Sequence, residues 1–131
     1  MGMFEAMNAS ASGLTAHRLW MDVIASNLAN AESTRSAAGG PFRRQMLVMS
    51  ADGTDKGVKV DTVTPDPSPS RQVYDPGHPD ADASGMVSYP NVDPVREMVD
   101  MMTASRAFEA NAVAMTTTKA MMLRALEIGK T

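Results

Sequence analysis

All eight prolines of this chain fall between Pro41 and Pro94. Proline lacks a backbone N–H and its ring clashes with the preceding helical turn. Long helices are therefore confined to the two ends, and the stretch between them must be built from strands, turns and extended connectors.

In the N-terminal segment Met7, Leu14, Met21 and Leu28 recur every seven residues, and Ser10, His17 and Ile24 occupy the alternating position. That is a heptad seam, and it predicts a helix from about Phe4 to Asn30. Gly13 and the small residues Ala9–Ser12 are its weak points, because they lower intrinsic helicity. The C-terminal segment opens with Asp93, a good N-cap, and Pro94, placed where a missing N–H costs nothing. Its stripe runs Met98, Met101, Ser105, Phe108, Ala112, Met115, Lys119, Met122 and Leu126 up to Ile128, and Gly129 provides the stop. Roughly 35 residues at 1.5 Å each make a rod of about 50 Å.

Between the ends, Phe42–Ser50 and Gly57–Thr64 have strand-like content, with Val58 and Val60 alternating against Lys59 and Asp61. Gln72–Tyr74 and Met86–Tyr89 predict two shorter strands, and Pro65, Pro67 and Pro69 a stiff connector. The fold class expected is mainly α with a small β-containing middle. Residues 1–30 and 93–131 pair as an antiparallel coiled coil, and 31–92 form an extended region of short strands and Pro-rich loops. A small helical bundle closed on itself is the alternative. One seam, however, offers little burial against the backbone entropy of about 60 helical residues, at about 1–2 kcal/mol each. The helices are expected to complete their burial against neighbouring copies or partners.

At 131 residues the chain has the length of one domain. Its 13 methionines outnumber its aromatic residues, and flexible, polarizable Met suits surfaces that meet several partners. Without cysteine there is no disulfide framework, thiolate nucleophile or Cys-ligated metal. A net charge of −3, with Arg43-Arg44 as the one adjacent basic pair, predicts no nucleic-acid partner and no anionic-membrane anchor. No uncharged apolar run approaches the length of a bilayer span, so direct membrane insertion is not expected. The N-terminus has no Lys or Arg before Arg18, which predicts no cleavable secretory signal.

Residues 80–91, DADASGMVSYPN, match the first half of a calcium-binding EF-hand loop through Asp80, Asp82, Ser84 and Gly85. Position 12, which should carry a bidentate Glu, is Asn91, and Pro67, Pro69, Pro76 and Pro79 deny the loop a leading helix. The expected role is a rigid turn: Asp bonds nearby amides and Gly takes positive φ. His78, near Asp75, Asp80 and Asp82, is the one place where metal or acid–base chemistry could sit, but a single His with loop carboxylates falls short of a three-ligand catalytic metal site. His17 is expected as a polar seam residue, and the Thr116–Thr118 run as a solvated or small-residue helix face. Phosphate-loop, dinucleotide, nucleophile-elbow and zinc-protease motifs are absent. The chain is not expected to be an enzyme, and no catalytic residue, cofactor or metal is assigned.

Ser26-Asn27-Leu28-Ala29-Asn30, leading through Ser33-Thr34 to Gly40-Pro41-Phe42-Arg43-Arg44, resembles the N-terminal signature of flagellar axial proteins of the rod and hook. Ser105-Arg106-Ala107-Phe108-Glu109-Ala110-Asn111 resembles their C-terminal signature. The middle, Tyr74–Asp82 with Tyr89-Pro90-Asn91-Val92, is similar to proximal-rod members of that family, and the resemblance covers essentially the whole chain.

The resemblance implies a structural subunit of the basal-body rod that transmits torque from motor to hook. Implied partners are further copies of the chain, other rod proteins, the MS-ring adaptor at the rod base and the flagellar type III export apparatus. The implied location is the periplasmic rod, reached without a cleavable signal. Expected assembly residues are Met7, Leu14, Met21, Ile24 and Leu28 with Asn27 and Asn30, and Met98, Met101, Phe108, Ala112, Met115, Met122 and Leu126. Expected loop contacts are Tyr74, His78, Asp80, Asp82, Met86 and Tyr89. Two rival readings are an adaptor or needle-like component of a related type III secretion system, and a calcium- or metal-dependent binding module centred on the 75–85 loop.

Overall fold

A computed structural model describes residues 2–53 and 56–130. The element order is α1 (Met3–Ala29), β1 (Gln45–Ala51), β2 (Val58–Pro65), β3 (Arg71–Tyr74), β4 (Met86–Tyr89) and α2 (Pro94–Ile128). Two long terminal helices thus flank a small middle of short antiparallel strands, as the prolines predict.

The Ser-rich start of α1 stays helical because its hydroxyls turn back onto the helix. Ser10 donates to the Ala6 carbonyl at 3.0 Å, Ser12 to Ala9 at 2.8 Å and Thr15 to Ala11 at 3.2 Å. The Gly2 amide donates to Glu5 Oε2 at 2.9 Å, which satisfies a donor the first turn leaves open. At the other end the Asn30 side chain donates to the Ser26 carbonyl at 2.8 Å and closes the last turn. In α2 the Val95 amide donates to Asp93 Oδ1 at 3.0 Å, so Asp93 caps the helix with Pro94 as its first residue. Thr116 and Thr118 bond the carbonyls of Ala112 and Ala114, each at 2.9 Å, and the threonine run remains helical.

β1 pairs with β2, and β3 pairs antiparallel with β4 in the register Arg71↔Tyr89 to Tyr74↔Met86. The first strand begins later than composition suggests, at Gln45 instead of Phe42. The reason lies in the backbone: the Phe42 amide is bonded to the Ser33 carbonyl at 3.1 Å and the Arg44 amide to Asn91 Oδ1 at 2.8 Å. Those donors are taken before pairing begins.

Contacts divide the chain into two compact units, 1–21 with 48–62 and 102–131, and 22–47 with 63–101. In the first, α1 and α2 run antiparallel: Met3 and Phe4 share a cleft with Met122, Ala125 and Leu126, and Gly13 faces Asn111. A Cβ on Gly13 would stand 2.8 Å from Asn111 Nδ2, so the helix-weakening glycine is what lets the helices approach. Ala16 and Ala104, in the same unit, are buried. Ser12 Oγ also accepts from the Val58 amide at 3.1 Å, which ties the start of β2 to α1. The second unit buries Ile24, Ala31, Val87, Pro90 and Val92, together with two polar side chains, Asn27 and Glu97.

Candidate functional site

Those two buried polar groups belong to one connected set. Asn27, on the last turns of α1, grips the first residue of β1 with both ends of its amide. Its Nδ2 donates to the Gln45 carbonyl at 2.9 Å, and its Oδ1 accepts from the Gln45 amide at 2.8 Å. Nδ2 also donates to Glu97 Oε2 at 3.2 Å, in the first turn of α2. The other Glu97 oxygen accepts from Arg44 Nε. The Glu97 side chain is 0% exposed and that of Arg44 only 14%. Arg44 then reaches Asp66 Oδ2 at 3.4 Å and Asp100 Oδ2 at 3.5 Å.

Asn91 closes the set from the opposite side. Its Oδ1 accepts from the Arg44 amide, and its Nδ2 donates to the carbonyls of Asp66 and Ser68 at 3.3 and 3.0 Å. Arg43 Nη1 bonds the same two carbonyls. The proline-rich connector after β2 is thereby held by its backbone. A lone buried carboxylate or guanidinium would be strongly unfavourable, and here each has charged or amide partners.

Burial pulls the Arg44 pKa down, but the bonds and charges of Glu97 and Asp66 outweigh it and hold the guanidinium above its ordinary value. Asp66 is held below the usual carboxylate range, first by the hydroxyl and amide of Ser68 and then by Arg44.

The acidic loop spends its carboxylates on local structure. Asp82 Oδ1 accepts from the Ser84 amide at 2.8 Å, the Ser84 hydroxyl at 2.7 Å and the Met86 amide at 3.0 Å. Asp80 faces another way, bonded by the Thr34 hydroxyl at 2.7 Å and paired with Arg35. Both acids are lowered, Asp82 chiefly by Ser84 and Asp80 chiefly by Thr34. Gly85 has φ +81°, and a Cβ there would also stand 2.9 Å from the Tyr74 ring. Among the described residues no three His, Asp or Glu side chains converge as a metal set. Between this loop and the 34–41 segment lies a polar cleft of about 320 Å³ that includes Arg35, Pro41, Asp80, Asp82 and Met86.

The expected seam residues of α1 are all at least half-buried: Met7, Leu14, Met21 and Leu28, with Ile24 fully buried. Asn27 is buried, and Asn30 is half-buried at the helix end. On α2, Met101, Phe108, Ala112, Met115 and Met122 are half-buried, whereas Met98 and Leu126 are 56% and 64% exposed. The inward place beside Met98 is taken by Glu97, drawn in by Asn27 and Arg44.

Of the loop residues, Tyr74 is exposed and Met86 half-buried. Tyr89 is engaged within the second unit, with Arg71 5.0 Å above its ring and His78 6.2 Å away edge-on. His17 lies 5.9 Å from Trp20, and its buried Nδ1 has no hydrogen-bond partner among the described residues.

Sequence reasoning missed Arg44, Asn91 and Glu97 as a set. Arg44 and Asn91 lie inside the motifs quoted above, but nothing local says that they meet. Glu97 looks like an ordinary acid of a first helical turn.

Paired terminal helices around a small β middle, with one signature running from the end of α1 to Arg44 and the other on α2, define a flagellar axial protein of the rod class. The model of the flagella basal body rod protein family matches residues 7–35, and that of the flagellar basal body rod FlgEFG protein C-terminal region matches residues 83–128. The chain is 44% identical to the flagellar basal-body rod protein FlgC of Bacillus subtilis, over 99% of this chain and 100% of that one. It is 41% identical to FlgC of Salmonella typhimurium and 43% identical to FlgC of Aquifex aeolicus, with at least 99% of each chain covered. The chain belongs to the FlgC family of flagellar basal-body rod proteins, structural subunits of the rod on which bacterial motility depends.

Proposed function

We propose that this chain is a non-enzymatic subunit of the proximal rod whose two helices complete their burial only against neighbouring subunits. The observation that carries the reading is the apolar surface of α2. Val95, Met98, Val99, Met102 and Val113 are 55–70% exposed, and Ile128 is 75% exposed. Their spacing at three, four and seven residues in the first turns makes a stripe, the pattern of a helix that expects a partner. Phe4, 68% exposed beside the apolar cleft of about 270 Å³ near Met122 and Leu126, extends the same character to α1.

On this reading residues 1–30 and 93–131 form the inner-tube part of the subunit, and 31–92 face outward or toward adjacent subunits. The seam and stripe side chains interlock with further copies, other rod proteins and the MS-ring adaptor at the rod base. Knobs-into-holes contacts resist sliding, and that resistance is how such a shaft carries torque from motor to hook. The subunit would work in the periplasm after passage through the flagellar type III export apparatus, without a cleavable signal. Helices that are only partly buried alone suit a chain that travels unfolded.

The test is the double substitution Met98→Lys with Met102→Lys in a strain that lacks its own copy. Both side chains are exposed, so the purified variant should keep parental helix content while swimming and rod formation are lost. Normal swimming with intact rods would overturn the proposal.

A further inference from the structure

We infer that the Asn27–Arg44–Glu97 set is a register lock, which selects one alignment of α2 on α1 from several that the apolar seams would accept. The seams themselves are degenerate. On α1 the large residues Met7, Leu14, Met21 and Leu28 repeat at seven, and on α2 Met101, Phe108, Met115 and Met122 do the same. Sliding one helix by a heptad sets large residue against large residue again. The methionines among them reshape to fit, because their thioether chains are unbranched and flexible. Apolar contact alone therefore discriminates poorly between alignments about 10 Å apart, the rise of seven helical residues.

Glu97 is different in kind. Its carboxylate is fully buried, and both oxygens are satisfied only where Asn27 of α1 and Arg44, the residue before β1, stand. Asn27 is itself fixed by two bonds to Gln45, so neither Asn27 nor Arg44 can follow a sliding α2. Any slipped alignment leaves a buried carboxylate without its cation and a guanidinium without its deepest partner. A single buried polar group can specify register in a helix pair for this reason, at some cost in stability. The lock belongs to the chain itself and holds whether or not the exposed face of α2 docks on a neighbour.

The test uses the full-length chain, whose lack of cysteine lets two spin labels be placed without background. Ala25→Cys on α1 and Arg96→Cys on α2 are both exposed and both lie in the second unit. Pulsed electron resonance should give one narrow distance in the parent. Replacing the pair with apolar groups, Arg44→Met with Glu97→Leu, should keep helix content by circular dichroism while the single distance splits or broadens by several Å. Glu97→Asp, which keeps the charge and both acceptor oxygens for Asn27 and Arg44, should retain the single distance. The inference is overturned if the apolar double variant is helical with the parental distance, or if it loses its helices, since the set would then serve folding in general. A parent without a single distance overturns it as well.

Discussion

Arg44 is one guanidinium facing three carboxylates, and the outcome of its loss follows from which of them is deepest. Glu97 has no exposed surface, so Arg44→Met leaves it charged and uncompensated, which should destabilise the chain by about 3–5 kcal/mol. Arg44→Lys should recover little, because an ammonium cannot span Glu97, Asp66 and Asp100 as the planar fork does. Urea unfolding followed by circular dichroism would measure both. A second consequence concerns acid. Asp66, Asp80 and Asp82 all have pKa values lowered in the folded chain, by Ser68, Thr34 and Ser84 respectively as the largest causes. Groups lowered in this way contribute stability that is complete above the ordinary carboxylate value near 4 and lost as pH falls through the lower folded value. Amide protection in residues 66–86, with rates corrected for the pH dependence of intrinsic exchange, should therefore fall below about pH 4 and stay constant between pH 5 and 7. A chain whose corrected protection changes instead through pH 6 would contradict this account of the loop.

At the scale of elements, both helices were legible because proline exclusion, the seven-residue repeat and the Asp93-Pro94 start act locally. The four strands were legible from strand-like content, with alternation in the second, except where the backbone donors of Phe42 and Arg44 are taken. What local pattern could not supply was the polar set, since Asn27 and Glu97 are separated by 70 residues in the chain. Nor could it show which flank of α2 turns inward: the repeat favours Met98, and a buried ion pair brings Glu97 in beside it. Gly13 was misread in the same way, as a weak point of α1, when its missing side chain makes room for Asn111. The Asp93 cap gives a direct check at this scale. Asp93→Ala removes the acceptor for the Val95 amide and should cost about 1 kcal/mol, seen as a lower urea midpoint with an unchanged slope.

Among the described residues few large side chains are fully buried, with Ile24, Glu97, Val87, Asn27 and Pro90 at the head of them, and much apolar surface is left on α2. A subunit that is to be held on several sides has reason to be built this way. On the proposed reading its internal contacts need only fix the shape, and neighbouring subunits would supply the remaining burial. The measurement that bears most directly on this is methionine oxidation, read by mass spectrometry, on the purified chain and on isolated flagellar basal bodies. Met98, Met102 and Met121 are all more than half exposed in the single chain and should oxidise readily there. The account predicts that all three become strongly protected in the basal body. Oxidation of these methionines at the same rate in both preparations, or absence of the chain from the particle, would contradict it.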